Sequence, residues 1–289
     1  MGVFRRGVYK SAAQLRAMVE PGLITAASLD AVRALAAPGV TTAQLDAAAS
    51  DAILARGAES NFKLVRGYRH TTCISVNDQV VHGVPGERVL VPGDIVSIDS
   101  GAQYKGWNGD SAITIVLDDE AVDEASARRV AMRRELSRVT EGALWAGIAA
   151  LATAKHTGQI GEAIEDYLVA QGPSPLTGEP YGILREYVGH GIGKKMHEAP
   201  SVFNYRTDFD SENVEVRPGL ALAIEPMVTL GSEKTFVEDD EWTVTTTDGS
   251  EGSHWEHSVA VHDGGIWVLT APDGGKAGLT PFGVQPEVI

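Results

Sequence analysis

Two periodicities alternate along the chain. Residues 11 to 36 place Leu15, Met18, Val19, Leu29 and Val32 at helical spacing, with Ser11 as the cap. Pro21-Gly22 interrupts that pattern and predicts a kink or a split, because proline removes a backbone donor and crowds the turn before it. Residues 42 to 56 repeat the helical pattern, starting at Thr41 or Thr42 and closing at Gly57. From 71 to 116 the runs shorten to strand length. Within them residues 95 to 99 read as a buried strand, 105 to 109 as a turn and 110 to 116 as the returning strand. Helical spacing returns over 120 to 152, where Ala143 to Ile148 reads as core packing, and over 159 to 171, which Gly172 closes. Strands reappear from 219 to 269. The order helices, strands, helices, strands predicts an α+β fold of two halves. A single catalytic domain covering 1–289 is expected, with 1–10 and 271–289 lying loosely on its surface.

An internal echo strengthens that picture. The run Pro92-Gly93-Asp94-Ile95-Val96-Ser97-Ile98-Asp99 is answered by Pro218-Gly219-Leu220-Ala221-Leu222-Ala223-Ile224-Glu225. Each is Pro-Gly, an apolar strand, Ile and an acid, and a second strand with another acid follows: Asp110 in one half, Glu256 in the other. Two related halves that each give two carboxylates to one shared site account for this. An isolated carboxylate leaving an apolar strand is costly unless it is paired, protonated or on a metal.

Composition narrows the choices. At 289 residues and 43% apolar, the chain can bury a large core. A net charge of -15 argues against tight nucleic-acid binding, which needs cationic contacts to phosphate. The one cysteine, Cys73, permits no intrachain disulfide and suits a reducing cytoplasm. Its position reads as a buried small residue or a pocket wall. No apolar run is long enough for a membrane span, and Met1 to Arg6 lacks the apolar stretch of a signal peptide. Arg6 stands where a myristoylation motif needs Ser or Thr.

The chemistry concentrates in Asp99, Asp110, His190, Glu225 and Glu256. Four carboxylates and one imidazole make an oxygen-rich set suited to two hard or borderline divalent ions rather than to a structural zinc. His190 lies in Gly189-His190-Gly191-Ile192-Gly193, whose glycines let backbone and ligand approach closely. A phosphate-binding loop fails here, because Lys195 follows Gly193-Lys194 where Ser or Thr should bind magnesium.

These residues resemble the type I methionine aminopeptidases. Asp99, Asp110, His190, Glu225 and Glu256 match that family's five metal ligands within Val-Ser-Ile-Asp, Gly-Asp, Gly-His-Gly-Ile-Gly, Ile-Glu-Pro-Met and Trp-Glu-His-Ser. The segment Val81-His82-Gly83-Val84-Pro85 matches its substrate-contacting histidine, and His197 its second. The resemblance runs from about residue 11 to residue 270, and Trp255 before Glu256 resembles the actinobacterial members. It implies a pita-bread fold (creatinase/aminopeptidase), with two pseudo-symmetric halves around a central antiparallel sheet. It also implies two divalent metal ions per chain, drawn from manganese, iron, cobalt or zinc. Asp110 and Glu256 would bridge both ions, Asp99 would cap one, and His190 with Glu225 would complete the other.

The activity implied is hydrolytic removal of the initiator methionine from peptides and nascent chains with a small second residue, by a hydroxide bridging the ions. Glu225 is the expected general base; His82 and His197 would contact the scissile amide. Tyr68, Cys73, Met196 and Trp242 fall at the positions of the methionine pocket, with Trp242 read as lying in a strand. His70, His156, His254, His257 and His262 are read as structural. A cytoplasmic monomer is expected, with transient ribosome contact and no partner in membrane or nucleic acid.

Departures from the family pattern are local. Residues 64 to 70 lack its Tyr-His-Gly-Tyr-Pro run, and the stretch from Asp110 to His190 exceeds the usual span, with 172 to 182 as the longer loop. Glu225 and Glu256 stand too close for the helical insert of type II relatives. Proline-specific relatives share the five ligands but usually carry a separate N-terminal domain, for which too few residues precede Asp99. A non-catalytic binding module would tend to lose ligands and gain basic tails, and neither is seen.

Overall fold

The computed structural model describes residues 8–118, 123–208 and 213–289. It opens with helices α1 (Ala12–Leu35) and α2 (Thr42–Leu54), each started by a capping box. Ser11 and Thr41 accept from the backbone N–H of Gln14 and Gln44, whose side chains return to the cap N–H, so two exposed donors are satisfied at each end. Pro21 does not divide α1, which runs as one helix. Gly22 beside it makes a close approach. A Cβ there would come within 2.3 Å of the Leu269 carbonyl oxygen, so the missing side chain lets the helix lie directly on neighbouring backbone.

Short strands β1 (Glu59–Ser60), β2 (Thr72–Val76) and β3 (Gln79–Val81) lead to the long hairpin of β4 (Ile95–Tyr104) and β5 (Trp107–Val116). The expected turn over 105 to 109 is only Lys105-Gly106, both at positive φ (50° and 72°), which matches the tight turn that fits strand twist. Both strands are therefore longer than anticipated, and Asp99 lies inside β4 rather than at its end. Helices α3 (Glu124–Ala150) and α4 (Gly158–Ala170) follow, packed through Gly147, where a Cβ would meet Ile164 at 2.8 Å. Residues 143 to 148 lie in that core as expected. The start anticipated for α3 at 120 falls outside the described residues.

The second half supplies β6 (Gly182–Ile183), β7 (Gly189–Gly191), β8 (Glu198–Val202), β9 (Ala221–Ile224), β10 (Met227–Thr229), β11 (Thr235–Val237), β12 (Val244–Thr246), β13 (Gly252–His254), β14 (Glu256–His262) and β15 (Gly265–Val268). Among the described residues the largest sheet runs β1-β4-β5-β14-β9-β7-β8, with β2 on β4 and β15 on β14. The echo seen in sequence is visible here. The inner strands β5 and β14 pair antiparallel, and the echoed strands β4 and β9 flank them on either side. Both Pro-Gly lead-ins place glycine at positive φ, Gly93 at 81° and Gly219 at 104°.

Of the segments expected to be loose, residues 8–10 and the stretch from 271 to 279 carry packed positions among the described residues. Lys10 is buried and pairs with Glu198 at 3.1 Å. After β15 the chain forms α5 (Lys276–Leu279) with Leu279 fully buried, and Glu287 donates its backbone N–H to Ile266. Gly274 and Gly275 press against Trp267 and against Val268 with Trp145, close approaches that composition alone does not announce.

Candidate metal centre and its pocket

Register brings the acids together. Asp99 faces Ala112 across the β4–β5 pair and Asp110 faces Gly101, which makes the two aspartates diagonal neighbours on one face of the sheet. Glu256 opposes Ala112 from β14, and Ile224 opposes His257, so Glu225 emerges beside it. His190 pairs with Ala223 from β7. Hydroxyls fasten the central seam: Asp110 N–H donates to Ser258 Oγ (3.0 Å), Ser258 Oγ donates to the Asp110 carbonyl (2.8 Å), and Ser111 Oγ donates to the Glu256 carbonyl (2.6 Å).

All five side chains face one cavity of about 150 Å³, together with His82, His197, Tyr68, Cys73, Met196 and Trp242. Ligand atoms of Asp99, Asp110 and Glu256 lie within 4.8 Å of one another, as do those of His190, Glu225 and Glu256. Glu256 belongs to both groups. His197, expected as a catalytic and substrate-contacting residue rather than a ligand, also comes within that range of Asp110 and His190. Its ring stands 4.4 Å from that of His190 at 86°.

Electrostatics argue that this cluster needs cations. Among protein groups alone, burial raises Asp99 to about 7 and Glu225 to about 8. Burial and the neighbouring carboxylates push Asp110 and Glu256 well above their ordinary range. Asp99 Oδ1, Asp110 Oδ1 and Glu256 Oε1 are buried without any hydrogen-bond partner, and among the described residues no Lys or Arg lines the cavity. Unpartnered buried oxygens of this kind are costly unless a cation sits among them. His190 is prepared for the same purpose: Nδ1 lies 3.0 Å from the Gly191 carbonyl, which places the proton on Nδ1 and leaves the Nε2 lone pair free. That Nε2 stands 3.5 Å from Glu225 Oε1 and 3.9 Å from Asp110 Oδ2. Burial holds the imidazole near 3, hence neutral and able to ligate.

The apolar side of the cavity is built by Phe62, Val65, Tyr68, Cys73, Met196 and Trp242. Tyr68 packs edge-on against Trp242 at 5.0 Å, and its hydroxyl donates to the Thr72 carbonyl at 2.7 Å, so the ring is fixed at both ends. Trp242 lies in the turn before β12, not in a strand. Burial and the nearby Asp99 keep the Cys73 thiol protonated, which removes it as a nucleophile. His82 holds a left-handed backbone (φ 59°) at the end of β3, a strained conformation of the kind kept where a side chain must be aimed. Its ring meets Tyr187 at 5.5 Å, and burial lowers it to about 4.

Sequence reasoning missed Phe62 and Val65, which carry no periodic signal. It also read His254 as structural, whereas His254 Nε2 stands 3.5 Å from Glu225 Oε2. His70, by contrast, packs against Tyr68 at 5.7 Å outside the cavity lining.

Acids from paired strands of two matched halves, converging beside an apolar pocket, define a dinuclear metalloenzyme of the pita-bread class. The pattern of "Metallopeptidase family M24" matches residues 16–263. The chain is 44% identical over 265 residues to "Methionine aminopeptidase 1" of Mycobacterium tuberculosis, covering 90% of this chain and 94% of that protein. Its fold superposes on the crystal structure of methionine aminopeptidase from Thermotoga maritima with a TM-score of 0.79, at 34% identity, covering 91% of this chain and 98% of that one. A prolidase from Pyrococcus furiosus shares the fold alone, at TM-score 0.65 and 20% identity, and this chain spans 65% of it. The chain belongs to metallopeptidase family M24 and, within it, to the methionine aminopeptidases.

Proposed function

We propose that the chain, acting as one catalytic unit, removes an N-terminal methionine from peptides and nascent chains, with preference for a small second residue. The observation that carries this reading is the set of partnerless carboxylate oxygens set against an apolar pocket that takes one side chain. In this reading Asp110 and Glu256 would serve both divalent ions, Asp99 would add to one, and His190 with Glu225 would add to the other; the grouping of their ligand atoms within 4.8 Å of one another supports it. Such ions supply Lewis acidity and make water a competent nucleophile at neutral pH.

The chain's own groups account for the rest. Tyr68, Cys73, Met196 and Trp242 receive the methionine side chain, whose thioether suits soft and aromatic walls. The acids accept the free α-amine at the cavity's polar end, which restricts cleavage to the first residue. His82, neutral through burial, donates a hydrogen bond from its ring N–H to the scissile amide, and His197, which lines the same cavity, contacts that amide as well. Glu225 takes the proton from the attacking water and passes it to the departing amine.

No helix among the described residues is long and apolar enough to cross a membrane. The reading places the enzyme in the cytoplasm as a monomer, and a charge of -15 favours brief rather than sustained contact with the ribosome. Competition between Met-Ala-Ser, N-acetyl-Met-Ala-Ser and Ala-Pro-Ala is the test. Only the first is expected to be cleaved at an appreciable rate; faster cleavage of Ala-Pro-Ala would reassign the specificity.

A further inference from the structure

Glu225 lies between two imidazoles, one at each oxygen. His190 Nε2 is 3.5 Å from Oε1, and His254 Nε2 is 3.5 Å from Oε2. The two histidines differ in kind. His190 Nε2 belongs to a group of ligand atoms within 4.8 Å of one another, whereas His254 belongs to none of the groups found. His254 is 2% exposed, and its Nε2 is buried without a hydrogen-bond partner.

The backbone around His254 is held firmly. Its N–H donates to Ser97 Oγ and to Thr114 Oγ1, both at 3.1 Å, while Thr114 Oγ1 donates back to its carbonyl at 2.7 Å. Across the β10–β13 pair, His254 opposes Met227, two residues beyond Glu225. The same short connection that sets Glu225 therefore sets the distance between the carboxylate and this ring. A buried imidazole so fixed, with a free nitrogen toward a carboxylate, is a costly arrangement unless that nitrogen finds a partner.

We propose that His254 is a positioning residue for the metal centre: its Nε2–H donates to Glu225 Oε2 and so turns Oε1 toward the ion shared with His190. A contraction of about 0.6–0.8 Å from 3.5 Å brings the pair into the range of about 2.7–2.9 Å typical of a charge-assisted hydrogen bond. Hydrogen-bonded carboxylates make more sharply oriented ligands, and removing such a support typically weakens metal binding about 10- to 100-fold. This rests on the reading of Glu225 as a ligand, and the experiment separates the two.

The full chain, stripped with chelator, is titrated calorimetrically with manganese(II) as the parent and as His254→Leu, His254→Gln and Glu225→Ala. His254→Leu is expected to weaken binding about tenfold or more while leaving the melting temperature of the metal-free protein unchanged or higher. His254→Gln, whose amide can donate in the same direction, is expected to recover affinity to within about threefold of the parent. Parent-like affinity in His254→Leu overturns the proposal, and equal weakening in both His254 variants overturns hydrogen-bond donation as the cause. If Glu225→Ala itself binds like the parent, the ligand reading fails and this one with it. Nitrogen-15 spectra of histidine-labelled, zinc-loaded parent protein give an answer that does not depend on the variants folding. A protonated His254 Nε2 supports the proposal; a bare or zinc-bonded nitrogen overturns it.

Discussion

His82 and His190 lie in the same cavity and are expected to fail in different ways. Replacing His190 with Ala removes a nitrogen whose lone pair faces Glu225 and Asp110. The variant is expected to lose metal affinity, measured by equilibrium dialysis, and to lose activity in proportion. His82→Ala should keep its metal and lose turnover by about 10²- to 10³-fold, the usual effect of deleting one positioned donor. Histidine tolerates φ 59° better than alanine does, so the melting temperature of the variant is measured alongside, and a turnover loss with the fold intact reports on the ring. Undiminished turnover in His82→Ala removes it from the catalytic set. Residues of this kind were legible in the sequence where motif and neighbours combine, as in Gly189 to Gly193 or Trp255 to His257. His254 was not legible. Its role depends on Glu225, far away in the chain, and a three-residue strand leaves no period to read.

At the scale of elements, α1 offers the sharpest contest between local and tertiary preference. Glycine inside a helix is ordinarily worse than alanine by about 0.5–1 kcal/mol. At residue 22 the order should reverse, because a Cβ would lie 2.3 Å from the Leu269 carbonyl oxygen and the strain of overpacking runs to about 1–3 kcal/mol. Gly22→Ala is therefore expected to melt at lower temperature than the parent at equal metal concentration; a higher melting temperature contradicts the close packing. Pro21-Gly22, read as a kink or a split, leaves α1 undivided, with Gly22 packed on the Leu269 carbonyl. The cap at Ser11 and the helix start at Thr41 or Thr42 were legible because the signal is local; the Gln14 and Gln44 that complete each capping box stand three residues on. The strands β6, β7 and β8 were not, since they are short, rich in glycine and defined by partners distant in sequence. The turn between β4 and β5 was placed correctly but drawn too wide, because Asn108-Gly109 looks like turn sequence while pairing fully in β5.

For the whole molecule, four buried acids raised in the folded state make stability depend on pH in a definite direction. Between about pH 6.5 and 8 the metal-free fold gives up the protons of Asp99, raised to about 7, and Glu225, raised to about 8, which the unfolded chain, with carboxyl groups near 4, has already released; burial and neighbouring carboxylates raise Asp110 and Glu256 in the same direction. Stability is then lost as pH rises, by something on the order of 1–3 kcal/mol. Below about pH 6.5 the buried histidines act oppositely: His82 near 4 and His190 near 3 stay neutral in the fold while the unfolded chain gains protons, so stability falls with acid. Melting curves of chelated protein should thus fall from pH 6.5 to 8, and divalent metal should abolish that fall; a rise over this window would contradict the burial of the acids. The symmetric halves behind the cluster were legible in the Pro-Gly echo, whereas the packing of the C-terminal segment depends on glycine contacts with Trp145 and Trp267 that sequence does not reveal. The central claim is that acids from both halves hold two ions which together drive methionine release. Its most direct test is the release of free methionine from Met-Ala-Ser by thoroughly chelated protein, followed as manganese(II) is returned in measured equivalents. Activity should be absent at zero and reach a plateau by about two equivalents per chain; undiminished release from the metal-free protein would contradict the account.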